Sequence, residues 1–162
     1  MESAMRRQRF ATLSTVGPSG GPQATGVVYA VSPPDEPAIL YVTTRTSTAK
    51  VCNIRAAPQV AFVIPVPHRF LAVVPPAVVQ FRGFADILEA EHPSAVRAFQ
   101  RSWFHRRILN AERLLVAEQA EMCFIAIRPQ RTVFTYGIGM SALDVVRRPR
   151  QAIGEVRLPT GR

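Results

Sequence analysis

The residues of this chain best suited to chemistry lie together in TTRTSTAKVCNIRAAP, residues 43–58. From Thr43 to Ala49, all but Ala49 carry a hydroxyl or a guanidinium, and Lys50, the only lysine among 20 basic residues, follows directly. Apolar AILYVTT precedes the run and a helical pattern follows it, so the polar residues fall where a strand hands over to a helix. A helix N-terminus leaves backbone N–H groups unsatisfied and carries the positive end of the macrodipole, so it attracts anions. Thr44, Thr46, Ser47 and Thr48 can place hydroxyl donors around a phosphate there. A helix cap alone explains Ser47. It does not explain Arg45, nor Lys50, a cation in a first helical turn where the dipole disfavours it unless an anion compensates. A phosphate seat and a plain cap both stand at this point.

The rest of the chain offers little competing chemistry. His68, His92 and His105 are far apart, lack metal-ligand spacing and read as surface or capping residues. Cys52 and Cys123 form no CxxC pair and no disulfide framework, so a reducing cytoplasm with two buried thiols is the expectation. Neither GxGxxG nor GxxxxGK[ST] occurs. GIGMS, residues 137–141, follows the last long strand and reads as a turn. No general acid, base or nucleophile can be named, so the catalytic residues are unassigned.

Composition bounds the class. The 162 residues suggest one domain, with a core over about 9–136 and a tail over about 150–162. A net charge of +9 and a pI near 11.1 raise nucleic acid as a partner. The densest basic run, Arg147, Arg148 and Arg150, lacks interleaved aromatics, and the expectation is no nucleic acid. No apolar stretch reaches the roughly 18 residues of a membrane span, and MESAMRRQRF lacks the apolar core of a secretory signal. No membrane partner is expected.

The elements that must position the polar run follow from alternation and punctuation. Strands are expected at 9–16, 23–32, 38–44, 59–66, 77–88 and 122–136, the last with a kink at Pro129. Helices are expected over 48–57 with Ser47 as N-cap, over 93–117 with a Val96–Phe99–Trp103 stripe, and over 141–148. The proline-rich stretch 65–76 reads as a loop, and residues beyond 148 as a frayed tail. In 77–88, Val79, Phe81, Gly83, Ala85 and Ile87 share one face. Short links make the first three strands antiparallel neighbours. Six strands with few helices predict a mainly β fold, a six-stranded antiparallel barrel. The apolar faces of the fifth strand and of the 93–117 helix exceed what one small barrel covers, which predicts a homodimer.

RFATLST, GPSGGPQATGVVY and LYVTTRTSTAKVCNIRAAPQVAFVIP, in that order, resemble the pyridoxamine 5'-phosphate oxidase-like family of FMN-binding split barrels, and FRGFADIL resembles a later strand of that family. The likeness is good over residues 9–90 and looser beyond. It implies a homodimer with two flavin sites at the interface, a small-molecule substrate and FMN-dependent redox chemistry. It implies that Lys50, Thr48 and Ser47 hold the FMN phosphate, that Thr44 and Asn53 belong to the same motif, and that strand two, with Gln23, Thr25 and Val27, lies along the flavin ring. Two departures stand out. Ala49 occupies a position where the family often has Arg, and the closing GEVRLPTGR has no Trp, which argues against pyridoxine phosphate as substrate. Within the same resemblance, a deazaflavin coenzyme or a non-catalytic flavin- or tetrapyrrole-binding role are the alternatives.

Overall fold

Alternation shapes the first hairpin of the computed structural model, which describes residues 2–67, 76–116, 121–140 and 142–157. In β1 (Phe10–Val16), Ala11, Leu13 and Thr15 are buried while Phe10 and Val16 stay exposed. That is the period of a sheet packed on one face. After the glycine-rich turn, β2 (Pro22–Val31) returns antiparallel, with Leu13 opposite Thr25. A further strand, β3 (Leu40–Arg45), then pairs with β2. The short helix α2 (Ala49–Ala56) leads to β4 (Gln59–Val66), which pairs with β1, and β5 (Ala77–Glu89) pairs with β4.

The long strand β6 (Met122–Tyr136) closes the structure. It pairs with β5, and its first half also pairs with β3, with Thr44 opposite Cys123. The cyclic order β3-β2-β1-β4-β5-β6 is therefore a closed six-stranded antiparallel barrel. The expected irregularity at Pro129 is present as a bulge: Phe81 faces Val133 but Gly83 faces Pro129. A Cβ at Gly83 would stand 2.5 Å from the Arg128 carbonyl oxygen, so only glycine allows this approach.

Inside the barrel, Tyr29 meets Phe62 edge-on at 5.4 Å and Phe62 stacks on Phe81 at 5.5 Å. As expected, Val79, Phe81 and Ala85 point inward on β5. Outside, α3 (Pro93–Gln100) and α4 (Trp103–Val116) cover the outer face of β2, β3 and β6 through Ala95, Ala98, Phe99 and Leu109 against Tyr41 and Phe124. This outer cluster places α4 over the end of β3.

Several expectations are corrected. The 93–117 helix is two helices within its described part, because Ser102 starts a new one: its hydroxyl accepts the His105 N–H at 3.2 Å and its carbonyl the Arg106 N–H at 3.0 Å. Residues 117–120 lie outside the described residues. The stripe consequently ends at Phe99, and Trp103 is 64% exposed. Residues Glu2–Arg7 form a helix, α1, that no capping signal announces; Met5 is buried and its carbonyl accepts the Tyr29 hydroxyl at 2.7 Å. The tail is not frayed at Ile153–Arg157, which add a seventh strand, β7, to the far half of β6. Cys123 is buried but Cys52 is exposed, because α2 turns only Val51, Asn53 and Ile54 inward. A short helix, α5 (Ala142–Arg147), follows β6; Ser141 lies outside the described residues, as do His68 and most of the 65–76 loop.

Candidate functional site

Thr44 and Thr48 set the geometry at the end of β3. Thr44 is buried, and its hydroxyl lies 3.3 Å from that of Thr48. Both the Thr48 hydroxyl, at 2.9 Å, and its N–H, at 3.2 Å, donate to the Arg45 carbonyl, which closes a tight turn into α2. Thr48, not Ser47, is therefore the N-cap residue, and its hydroxyl makes no cap bond to the helix. The first N–H of α2 with a partner is that of Val51, on the Thr48 carbonyl at 3.0 Å. The amides of Ala49 and Lys50 find no acceptor among the described residues. The positive end of α2 is thus open.

Lys50 sits second in this helix, half-buried. Burial holds its ammonium below the usual lysine range and neighbouring Arg45 adds to this, while Cys123 and Glu112 oppose it. Among the described residues Lys50 makes no ion pair.

These groups line a cleft of about 260 Å³. One wall is Gly26, Val27 and Val28 of β2; the floor is Thr43, Thr44 and Arg45 of β3 with Thr48 and Lys50; the other wall is Ile108 and Glu112 of α4. Two polar atoms in it, Thr43 Oγ1 and Glu112 Oε2, are buried without a hydrogen-bond partner. Buried polar atoms are normally satisfied; among the described residues two further orphans, His92 Nδ1 and Arg113 Nε, lie away from this cleft. Gly26 belongs here for a steric reason: the Phe10 ring crosses β2 only 2.6 Å from where its Cβ would stand.

His105 fixes the α4 wall. Burial lowers its pKa. In the neutral ring, Nε2–H donates to the Tyr29 carbonyl at 2.9 Å and Nδ1 accepts from the Ser102 hydroxyl at 2.7 Å. His105, Ile108 and Glu112 follow at i, i+3 and i+7, one face of the helix. Pinning His105 to β2 therefore presents Ile108 and Glu112 to the cleft.

Of the residues singled out from sequence, Thr44, Thr48, Lys50 and Val27 line this cleft, and Ser47, Gln23, Thr25 and Asn53 do not. Asn53 is buried and donates its amide to Thr15 Oγ1 at 2.9 Å and to Gln23 Oε1 at 2.8 Å, tying α2 to the first hairpin. Sequence reasoning counted Thr43 in the hydroxyl run without giving it a role, and it did not single out Gly26, Ile108 or Glu112. Only the helical spacing of Ile108 and Glu112 could have paired those two, and nothing local points either toward Lys50.

Larger hollows do not reach Lys50. One, of about 670 Å³, runs past Arg55 and Cys123 to Arg113, which pairs with Glu91 at 2.9 Å. Another, of about 990 Å³, lies between Arg7 of α1 and the turn Gly137–Met140, where Gly137 and Gly139 have positive φ. A third, of about 380 Å³, lies on the barrel wall beside Gln80, Arg82 and Phe134. Among the described residues no three His, Cys, Asp or Glu side chains cluster to hold a metal, and no helix is long and apolar enough to cross a membrane.

The pattern of the pyridoxamine 5'-phosphate oxidase family matches residues 1–135. No curated protein matches the chain. Among solved structures it is similar to an F420 reductase, at 26% identity over 80% of this chain and 92% of that one, with a TM-score of 0.55. It is similar to a pyridoxamine 5'-phosphate oxidase-related, FMN-binding protein from Nostoc punctiforme, at 15% identity over 94% and 87% of the two chains, TM-score 0.60. A haem storage protein from Vibrio cholerae aligns at 14% identity over 84% and 92%, TM-score 0.64. The last two likenesses speak for the fold alone.

Proposed function

This chain belongs to the pyridoxamine 5'-phosphate oxidase family, and from that premise we propose that it is a flavin-dependent oxidoreductase that binds FMN through the Lys50 cleft. The observation that carries this reading is a cleft lined by a half-buried lone lysine and by Thr43, whose hydroxyl is orphaned, beside a helix start whose first two amides are open. A phosphate would satisfy all of them at once, and charge-assisted hydrogen bonds of this kind are the strong ones. At about 260 Å³ the cleft is smaller than pockets that enclose a whole drug-sized ligand. It would take the phosphate and its chain, with the ring against the edge of β2 beyond Val27. When bound, the flavin supplies the redox chemistry, and the residues of this chain hold and orient it.

The reading includes a homodimer. Phe10, Val16, Phe84 and Phe134 are exposed large apolar side chains on strands β1, β5 and β6 of the barrel wall, and this supports that part of the reading. A second copy would cover them. A deazaflavin coenzyme is the second reading, favoured by the 26% identity to an F420 reductase. Heat release of whatever co-purifies, followed by absorbance and mass measurement, tests both. FMN is the expected result, a deazaflavin supports the second reading, and haem would refute both.

A further inference from the structure

We propose that Glu112 is a specificity-determining residue of the Lys50 cleft, reducing the advantage that a doubly charged phosphate monoester such as FMN holds there over a singly charged phosphate diester. This rests on the proposed flavin site. The charged side chains lining the cleft are Arg45, Lys50 and Glu112, so its formal charge is a single positive one. Arg45 is exposed and screened by solvent, whereas Lys50 and Glu112 are half-buried. Glu112 Oε2 is buried with no hydrogen-bond partner, and no ion pair among the described residues engages the carboxylate. Its charge therefore acts on whatever anion enters. Nor can α4 readily carry it away, because His105 on the same helix face is held by Tyr29 and Ser102. Coulomb repulsion scales with the charge of the ligand, so a dianion feels Glu112 twice as strongly as a monoanion, while the open amides of α2 serve both. Ala49, next to Lys50, supplies no further cation to offset it.

Three flavins that share ring and ribityl chain isolate the effect: riboflavin, the methyl ester of FMN phosphate and FMN, carrying about zero, one and two negative charges at pH 8. Glu112→Gln keeps the side chain's shape and removes its charge. It should tighten FMN about 10-fold, the methyl ester about 3-fold and riboflavin not at all. Glu112→Ala should reproduce the order in a side chain of different size. A uniform shift across the three ligands, or weaker FMN binding, overturns the proposal. A second measurement needs no flavin. Reductive methylation with 13C labels Lys50 alone among side chains, because it is the only lysine. Its titration should move to lower pH in Glu112→Gln than in wild type, and an identical titration overturns the proposal. Wild type that binds none of the three flavins while the Lys50 titration shifts would instead refute the flavin reading and leave the electrostatic role of Glu112 standing.

Discussion

Replacing Lys50 by Ala separates a phosphate seat from a helix cap. The side chain occupies the second position of α2 and makes no ion pair among the described residues. A cation at that point opposes the macrodipole by about 0.3–1 kcal/mol, screened by solvent. Removing it should leave the apo fold as stable as before or slightly more so. Loss of a charge-assisted hydrogen bond to phosphate should instead weaken FMN binding by about 1.5–3 kcal/mol, or about 10- to 150-fold. Riboflavin lacks the phosphate and should bind both proteins alike. Fluorescence titration with FMN and riboflavin, beside thermal unfolding without ligand, gives all three readings. Equal FMN affinity in the two proteins would refute the reasoning and reduce the hydroxyl run to a turn. A marked fall in apo stability would show that Lys50 is structural.

Three further outcomes are expected. Asn53→Ala should destabilise the fold by about 1–3 kcal/mol in urea unfolding, because it removes the donor to the buried Thr15 hydroxyl and the tie to Gln23; an unchanged midpoint would contradict that role. The His105 pKa is depressed by burial, so between its unfolded value near 6.5 and its lower folded value the unfolded chain binds more protons. Its contribution to stability is complete above about pH 6.5 and is lost as pH falls through the folded pKa. His105→Gln should flatten that part of the stability–pH curve, and an identical slope in the variant would contradict the pinning. The exposed Phe84 and Phe134 should make Phe84→Arg with Phe134→Arg monomeric in light scattering where wild type is a dimer, and a monomeric wild type would overturn the assembly.

What the sequence made legible was what local periodicity encodes. The alternation of Val79, Phe81 and Ala85 with Gln80 and Arg82 survives unchanged in β5, with the first set buried and the second exposed. Lys50 stood out because its type and place were both unusual, and it lines the cleft. Features held only by tertiary contact were not legible. Helix α1 is six residues long and depends on Met5 and Tyr29, too short to persist on propensity. The break at Ser102 was hidden because the apolar stripe appeared to continue across it. Strand β7 leaves most of its residues exposed, so it carries no period-two burial to read. Glu112 reaches the cleft through α4, whose docking depends on His105 and the outer cluster, and no spacing near Lys50 encodes it.

The claim at the centre of this account is that the β3–α2 junction seats the phosphate of a flavin. A crystal structure of the protein saturated with FMN tests it most directly. The account predicts phosphate oxygens about 2.7–3.2 Å from Lys50 Nζ and from the backbone amides of Ala49 and Lys50, in the cleft beside Thr43 and Thr44. Phosphate bound instead in the hollow between Arg55 and Arg113, with the Lys50 cleft filled only by solvent, would contradict it.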